Sequence, residues 1–355
     1  MFERLRAGPL GQRPFRLLFL GRTTSFIGSA FANVALAFAV LDLTGSKADL
    51  GYVLAARSLP QVLFLLVGGI WADRLPRNRV MVGSNIASGL SQGAIAVLLL
   101  SGNAQVWHLL VLAAVNGLSS AFFFPAAVGI VPQTVPQRML QSANSLLSLG
   151  SNASFIGGAA LGGLVVAATS PGVGIAVDAA SFFLAALFLA LIRLPATLRM
   201  EASNFFAELA EGWREFVSRA WLWSIVLQFG FVNAIQLGTE GVLGPAIAKD
   251  HLGGAAAWGL ILTAESIGLI LGGLILLRLR PRRMLLAATL GYLLTVPFLL
   301  GLAGPAPLVT LVALPHSPGS ARRPSGSSGR RRSSRRSPRR STRESRPTTR
   351  SAHSS

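Results

Sequence analysis

Nine long apolar stretches follow one another between residue 15 and about residue 304. A helix that crosses the hydrocarbon core of a bilayer needs roughly 20 mostly apolar residues, because it rises only about 1.5 Å per residue. One or two such runs also occur as buried helices of soluble proteins. Nine in succession leave no room for a water-exposed surface, so the chain is predicted to be all-α and polytopic. The predicted spans are Phe15–Leu41, Leu50–Trp71, Val80–Leu100, Val106–Val131, Ser142–Ala168, Gly172–Ile192, Trp221–Ala248, Ala256–Leu277 and Met284–Gly304. A tenth apolar run begins near Pro307 and stops at Pro315.

Composition agrees. Charged residues make up 13% of the chain and hydrophobic ones 52%, whereas soluble domains carry about 25% charged residues. The net charge of +19 is unevenly placed. Residues 316–355 hold 12 of the 32 basic residues, all Arg, with 13 Ser and none of Ile, Leu, Val, Met, Phe, Tyr or Trp. There is no cysteine, which excludes disulfides, thiolate metal sites and cysteine nucleophiles. The histidines, His108, His251, His316 and His353, are too scattered for a metal cluster.

Basic residues in the loops set orientation in a membrane. With the N-terminus in the cytoplasm, 17 arginines fall on the cytoplasmic side, among them Arg22, Arg74, Arg77, Arg79, Arg138, Arg193 and Arg283. Only Lys47 and Lys249 fall outside, and Arg57 lies within the second span. The longest internal loop, 193–220, places Phe206, Leu209, Trp213 and Phe216 on one helical face, with Glu215 in reach of Arg219. It reads as an amphipathic helix on the cytoplasmic surface joining two halves. Those halves repeat. Gly68-Gly69 and Gly272-Gly273 close the second and eighth spans 204 residues apart, and a basic turn follows each pair. The predicted organisation is a six-helix bundle over 1–192, a linker over 193–220, a second bundle over 221–315 and a basic tail over 316–355.

Several local motifs carry a family resemblance. They are Leu41-Asp42-Leu43-Thr44-Gly45-Ser46, Ala56-Arg57-Ser58-Leu59-Pro60, Phe124-Pro125-Ala126 and Val177-Asp178-Ala179-Ala180-Ser181-Phe182. The fifth is the loop Gly69–Arg79, which carries the pattern Gly-x-x-x-Asp-Arg-x-x-Arg. Over residues 10 to about 314 the chain resembles major facilitator superfamily transporters, in the branch of the enterobactin exporter and macrolide efflux proteins. The resemblance implies a twelve-helix fold, of which nine to ten helices are accounted for, and gradient-driven efflux of small amphipathic compounds without a cofactor. It also implies a conformational latch at the Gly69–Arg79 loop, with Asp73 facing a helix N-terminus of the other half and Arg74, Arg77 and Arg79 knitting neighbouring helix ends. Two features depart from drug:proton antiporters of the superfamily. The fourth span has no arginine, and Gly158-Ala159-Ala160-Leu161-Gly162-Gly163 has Ala159 where the antiporter motif has proline. The glycines still permit close helix contact.

Ionisable groups inside a membrane are costly and mark function. Five lie in or at the ends of spans: Asp42, Arg57, Asp178, Glu240 and Glu265. Asp42 or Asp178 is expected to pair with Arg57, either as a packing ion pair or as a proton-linked switch. Glu240 and Glu265 are candidate proton or cationic-substrate carriers. Asn33 and Gln236 are candidate hydrogen-bonding groups of the cavity, since in the resembled fold the first and seventh helices line it. The expected partners are a small-molecule substrate, protons and the lipid bilayer of a bacterial plasma membrane.

Enzyme signals fail. Gly45-Ser46-Lys47 lacks the glycine and the hydroxyl residue of a phosphate loop, and Gly172-Val173-Gly174 lacks both a third glycine and a preceding strand. The tail cannot bury a core and is expected to be disordered. Binding of nucleic acid would need it in the cytoplasm, whereas the ninth span ends outside, so nucleic acid is not an expected partner. A reading-frame shift near Leu314 accounts for its composition, and a non-transporting membrane remnant is the competing reading of the whole chain.

Overall fold

The computed structural model describes residues 8–194, 213–279, 295–304 and 306–313. Six long helices form the first half: α1 (Arg13–Thr44), α2 (Lys47–Arg74), α3 (Arg77–Leu100), α4 (Val106–Gly129), α5 (Leu140–Ala168) and α6 (Pro171–Ala190). Each is long and apolar enough to cross a membrane by length and composition. Their boundaries follow from local chemistry. Gly45, at φ +65°, ends α1 in the left-handed conformation that glycine takes without a Cβ clash, and its N–H donates to the Leu41 carbonyl. Ser46 then caps α2, its hydroxyl accepting from the Asp49 N–H at 3.2 Å. Gln105 and His108 close a reciprocal capping box on α4, and Pro171 starts α6, where its missing N–H costs nothing.

The second half begins with helical residues 213–218 and continues through α7 (Ala220–Gly238), a five-residue π turn (Thr239–Leu243), α8 (Gly244–His251), α9 (Ala255–Leu279), α10 (Thr295–Ala303) and α11 (Leu308–Ala313). The seventh predicted span is thus not one uninterrupted α-helix. A π turn around Glu240 and the following Pro245 divide it. Of the ninth span, residues 284–294 lie outside the described residues, as do Phe206 and Leu209 of the predicted linker helix and the whole basic tail. The C-terminal end of that linker is present: Trp213 and Phe216 pack ring to ring at 5.7 Å, and Arg219 pairs with Glu215.

In the first half α1 packs on α5 and α6, α2 on α4, and α3 on α4 and α6. Glycines permit these crossings. A Cβ on Gly117 would lie 1.8 Å from the Arg57 carbonyl oxygen, and one on Gly68 would lie 2.2 Å from that of Ala121, so α2 and α4 touch backbone to backbone. The Gly158–Gly163 segment works as the sequence predicts. Gly158 faces Ile27 and Ala30, Gly162 faces Phe31, and Gly163 faces the backbone of α9 at Ala255 and Gly259.

Two apolar cores lie at opposite ends of the bundle. One gathers Val34–Leu41, Leu50, Val53, Ile95, Leu109 and Ile175 from the first half with Ala246, Trp258, Ile261, Phe298 and Leu311 from the second. The other gathers Phe15, Leu18, Met81, Ile130, Leu147 and Leu189, and among the described residues it draws on the first half only. The faces that remain open carry large apolar side chains, such as Val62 and Leu63 on α2 and Phe231 on α7. That arrangement suits a hydrocarbon solvent.

Candidate functional site

Polar groups inside this apolar body gather in three places. The first lies within the first half. Asp178 of α6 is wholly buried. Its carboxylate accepts from Gln92 Nε2 of α3 at 2.8 Å and from the Ser29 hydroxyl of α1 at 3.4 Å. Gly28 leaves the room for this group, because a Cβ there would lie 2.9 Å from Asp178 Oδ1 and 1.9 Å from Ser181 Oγ. Arg57 of α2 interacts electrostatically with Asp178, and its Nη1 donates to Asn33 Oδ1 at 3.3 Å. A cavity of about 170 Å³ adjoins them, lined by Ser29, Arg57, Gln61, Asn85, Phe123 and Phe182 among others.

The second place lies on the other half. The π turn carries Glu240, which interacts with Glu265 on α9 and with Gln236, one turn earlier on α7. Glu265 is buried. Two acidic side chains from α9 and from the break in the seventh span thus stand together inside the apolar body.

The third place is the end of the bundle where the halves share a core. Lys249 Nζ of α8 sits 2.6 Å from Asp42 Oδ1 and donates to the Leu41 carbonyl at 2.8 Å, both on the last turn of α1. Lys47 lies 4.0 Å from Asp250. Asp42 is thus engaged by Lys249, and Asp178 is the carboxylate that answers Arg57.

At the opposite end, Arg77 donates to the Gly129 carbonyl at the close of α4, and Asn78 Nδ2 donates to the Ile192 carbonyl beyond α6 at 3.3 Å. The Gly69–Arg79 loop is thereby tied to neighbouring helix ends within its own half. Arg74 and Arg79 are exposed, and the Asp73 side chain lies outside what is described. Arg22, counted with the loop arginines in the sequence, stands inside α1 with its guanidinium 5.5 Å from the Phe26 ring centre.

The structure sets Asn33 beside Arg57 and Gln236 near Glu240, neighbours that the sequence alone does not pair. The sequence reading misses Gln92, Ser29 and Asn78. The signal for Gln92 is the helical spacing of Ser84, Ser88, Ser91 and Gln92, all buried along one side of α3.

The family described as transmembrane secretion effector matches residues 6–315. The multidrug efflux pump Tap of Mycolicibacterium fortuitum is 29% identical over 315 residues, covering 84% of this chain and 76% of the pump. Macrolide efflux protein A of Streptococcus pyogenes is 24% identical over 267 residues, and this chain spans 65% of its length. The enterobactin exporter EntS of Salmonella typhimurium is 26% identical, covering 79% of this chain and 69% of the exporter. Among solved structures, a bacterial homologue of the human lysosomal transporter Spinster, in an inward-facing and occupied conformation, superposes with a TM-score of 0.62. It has 19% identity over 85% of this chain and 71% of that one, a likeness of fold. The chain belongs to the transmembrane secretion effector family of major facilitator superfamily transporters.

Proposed function

We propose that the chain exports small amphipathic compounds from the bacterial cytoplasm in exchange for protons, by alternating access. The observation that carries this reading is the Glu240–Glu265 carboxyl pair, held in the membrane body at a break in the seventh span. A pair that can take up one proton, release it, and tolerate a cation instead is a coupling device, because substrate and proton then compete for one site. The names of the relatives, a multidrug pump, a macrolide efflux protein and an enterobactin exporter, support export over import. Arg57 and Asn33 form the polar part of the substrate path on the first half, with Asp178 behind them. Asp73, Arg74, Arg77 and Arg79 act at the cytoplasmic end, where the loop arginines place the membrane's inner face. The multi-pass body lies in the plasma membrane with its N-terminus in the cytoplasm.

The test is efflux of an amphipathic cationic dye from cells that make this chain, with and without a proton uncoupler. Efflux is expected to stop on uncoupling. Glu240→Gln and Glu265→Gln are each expected to lower it at least tenfold, while leaving dye–dye exchange across the membrane. Efflux that persists with both carboxyl groups neutralised would remove proton coupling at this pair.

A further inference from the structure

The charges at the shared-core end form a crossed pattern. Asp42 of the first half meets Lys249 of the second, and Lys47 of the first half faces Asp250 of the second, with Asp49 nearby in the first turn of α2. Lys249 binds the Asp42 carboxylate and also the Leu41 carbonyl. It therefore sits at the C-terminal end of α1, where the last carbonyls of a helix attract a cation. Deeper in the body, α5 and α9 cross at Gly163 and Gly259, so the two halves touch through backbone as well as through charge. Among the described residues, the core at the opposite end has no second-half member.

We propose that Lys249 and Asp42 form an ion-pair clasp that holds this end of the transporter shut, and that Lys249 is the gating residue of that end. The inference rests on the transporter reading and names the gate on the side away from the loop arginines. The partners are half-exposed, Lys249 by 35% and Asp42 by 52%. The pair is consequently weak enough to break in each cycle, as exposed ion pairs are. Lys47 and Asp250, further apart and half-exposed on both sides, widen the charged seam without closing it. The glycine crossing supplies a close-packed pivot, and the clasp biases which way the halves tilt about it.

The natural absence of cysteine makes the test direct. Cysteines placed at Asn103, in the turn after α3, and at His251, at the close of α8, are the sole thiols and take spin labels. Both positions are exposed and both lie at the clasp end. Pulsed distance measurements on the purified full chain in lipid nanodiscs need neither substrate nor gradient, so they report on the clasp whether or not the chain transports.

The wild type is expected to show a dominant short distance. Lys249→Met and Asp42→Asn are each expected to lower the ratio of short to long distances about fivefold. The double variant is expected to do no more than either alone, because both remove one interaction. In the wild type, raising salt from about 0.05 M to about 1 M is expected to move the ratio in the same direction through screening, and this arm needs no variant to fold. Distance distributions indifferent to both substitutions and to salt overturn the proposal, and so does a double variant whose effect is the sum of the singles.

Discussion

Asp178 shows what a single charge demands inside this body. It is buried, it accepts from Gln92 and Ser29, and it balances Arg57. Replacing it with leucine leaves the guanidinium without its counter-charge and Gln92 without an acceptor. We expect Asp178→Leu to lower stability by about 2 kcal/mol, below the roughly 3–5 kcal/mol of a broken direct buried pair because Arg57 borders a cavity. Asp178→Asn keeps an acceptor for Gln92 and is expected to cost about 1 kcal/mol. In the double variant with Arg57→Met, the loss is expected to be smaller than the sum of the two singles. Thermal unfolding in detergent, followed by circular dichroism, measures all three. Asp178 and Arg57 were legible in the sequence because a charge within an apolar run stands out. Gln92 carried a weaker signal, its helical spacing with Ser84, Ser88 and Ser91, whereas Ser29 carried none, since a lone serine occurs on either face of such a helix and only the crossing of α1 and α6 brings it to Asp178.

At the scale of elements, the most informative departure from the sequence is the π turn. Hydropathy reads Trp221–Ala248 as one span because a single Thr and Glu do not interrupt a long apolar window, and nothing in periodicity marks one extra residue in a helix. Yet that residue sets the direction of Glu240. An α-helix turns by about 100° per residue, so deleting one residue from the turn rotates Glu240 and Gln236 by that angle against the helix that follows. Deletion of Gly241 is therefore expected to restore a regular helix, part Glu240 from Glu265 and reduce proton-driven efflux to the level of Glu240→Gln. Helical content, read by circular dichroism, is expected to stay within a few percent of the wild type. Efflux unchanged by the deletion would mean that the turn does not position the pair. The glycine segment Gly158–Gly163 is the opposite case. Its small residues announce a close contact, and the structure supplies the partners, α1 on one side and α9 on the other. Which helix would be touched was beyond the sequence, because small residues specify a short distance and not a neighbour.

At the scale of the whole molecule, the two ends differ in charge and in packing. The arginine-rich loops stand at one end, whereas Lys47 and Lys249 stand at the other, beside the core that both halves share. Loop charge alone orients such a body in a membrane, because arginine and lysine are retained on the cytoplasmic side. Packing then adds which end is held together. The proposed orientation has a direct consequence for chemical access. A cysteine at Asn103, in the α3–α4 turn, is expected to react in intact cells with a membrane-impermeant maleimide. A cysteine at Gln137, in the exposed connection before α5, is expected to react only in permeabilised cells or inverted vesicles. An inverted body reverses both results. Labelling of both positions from outside would mean that two populations insert in opposite senses, and the charge bias of 17 basic residues against two would then fail to fix the topology. The same two cysteines in one chain, labelled in sequence from each side, separate a dual population from a leaky preparation, since only the former leaves each molecule with a single reactive face.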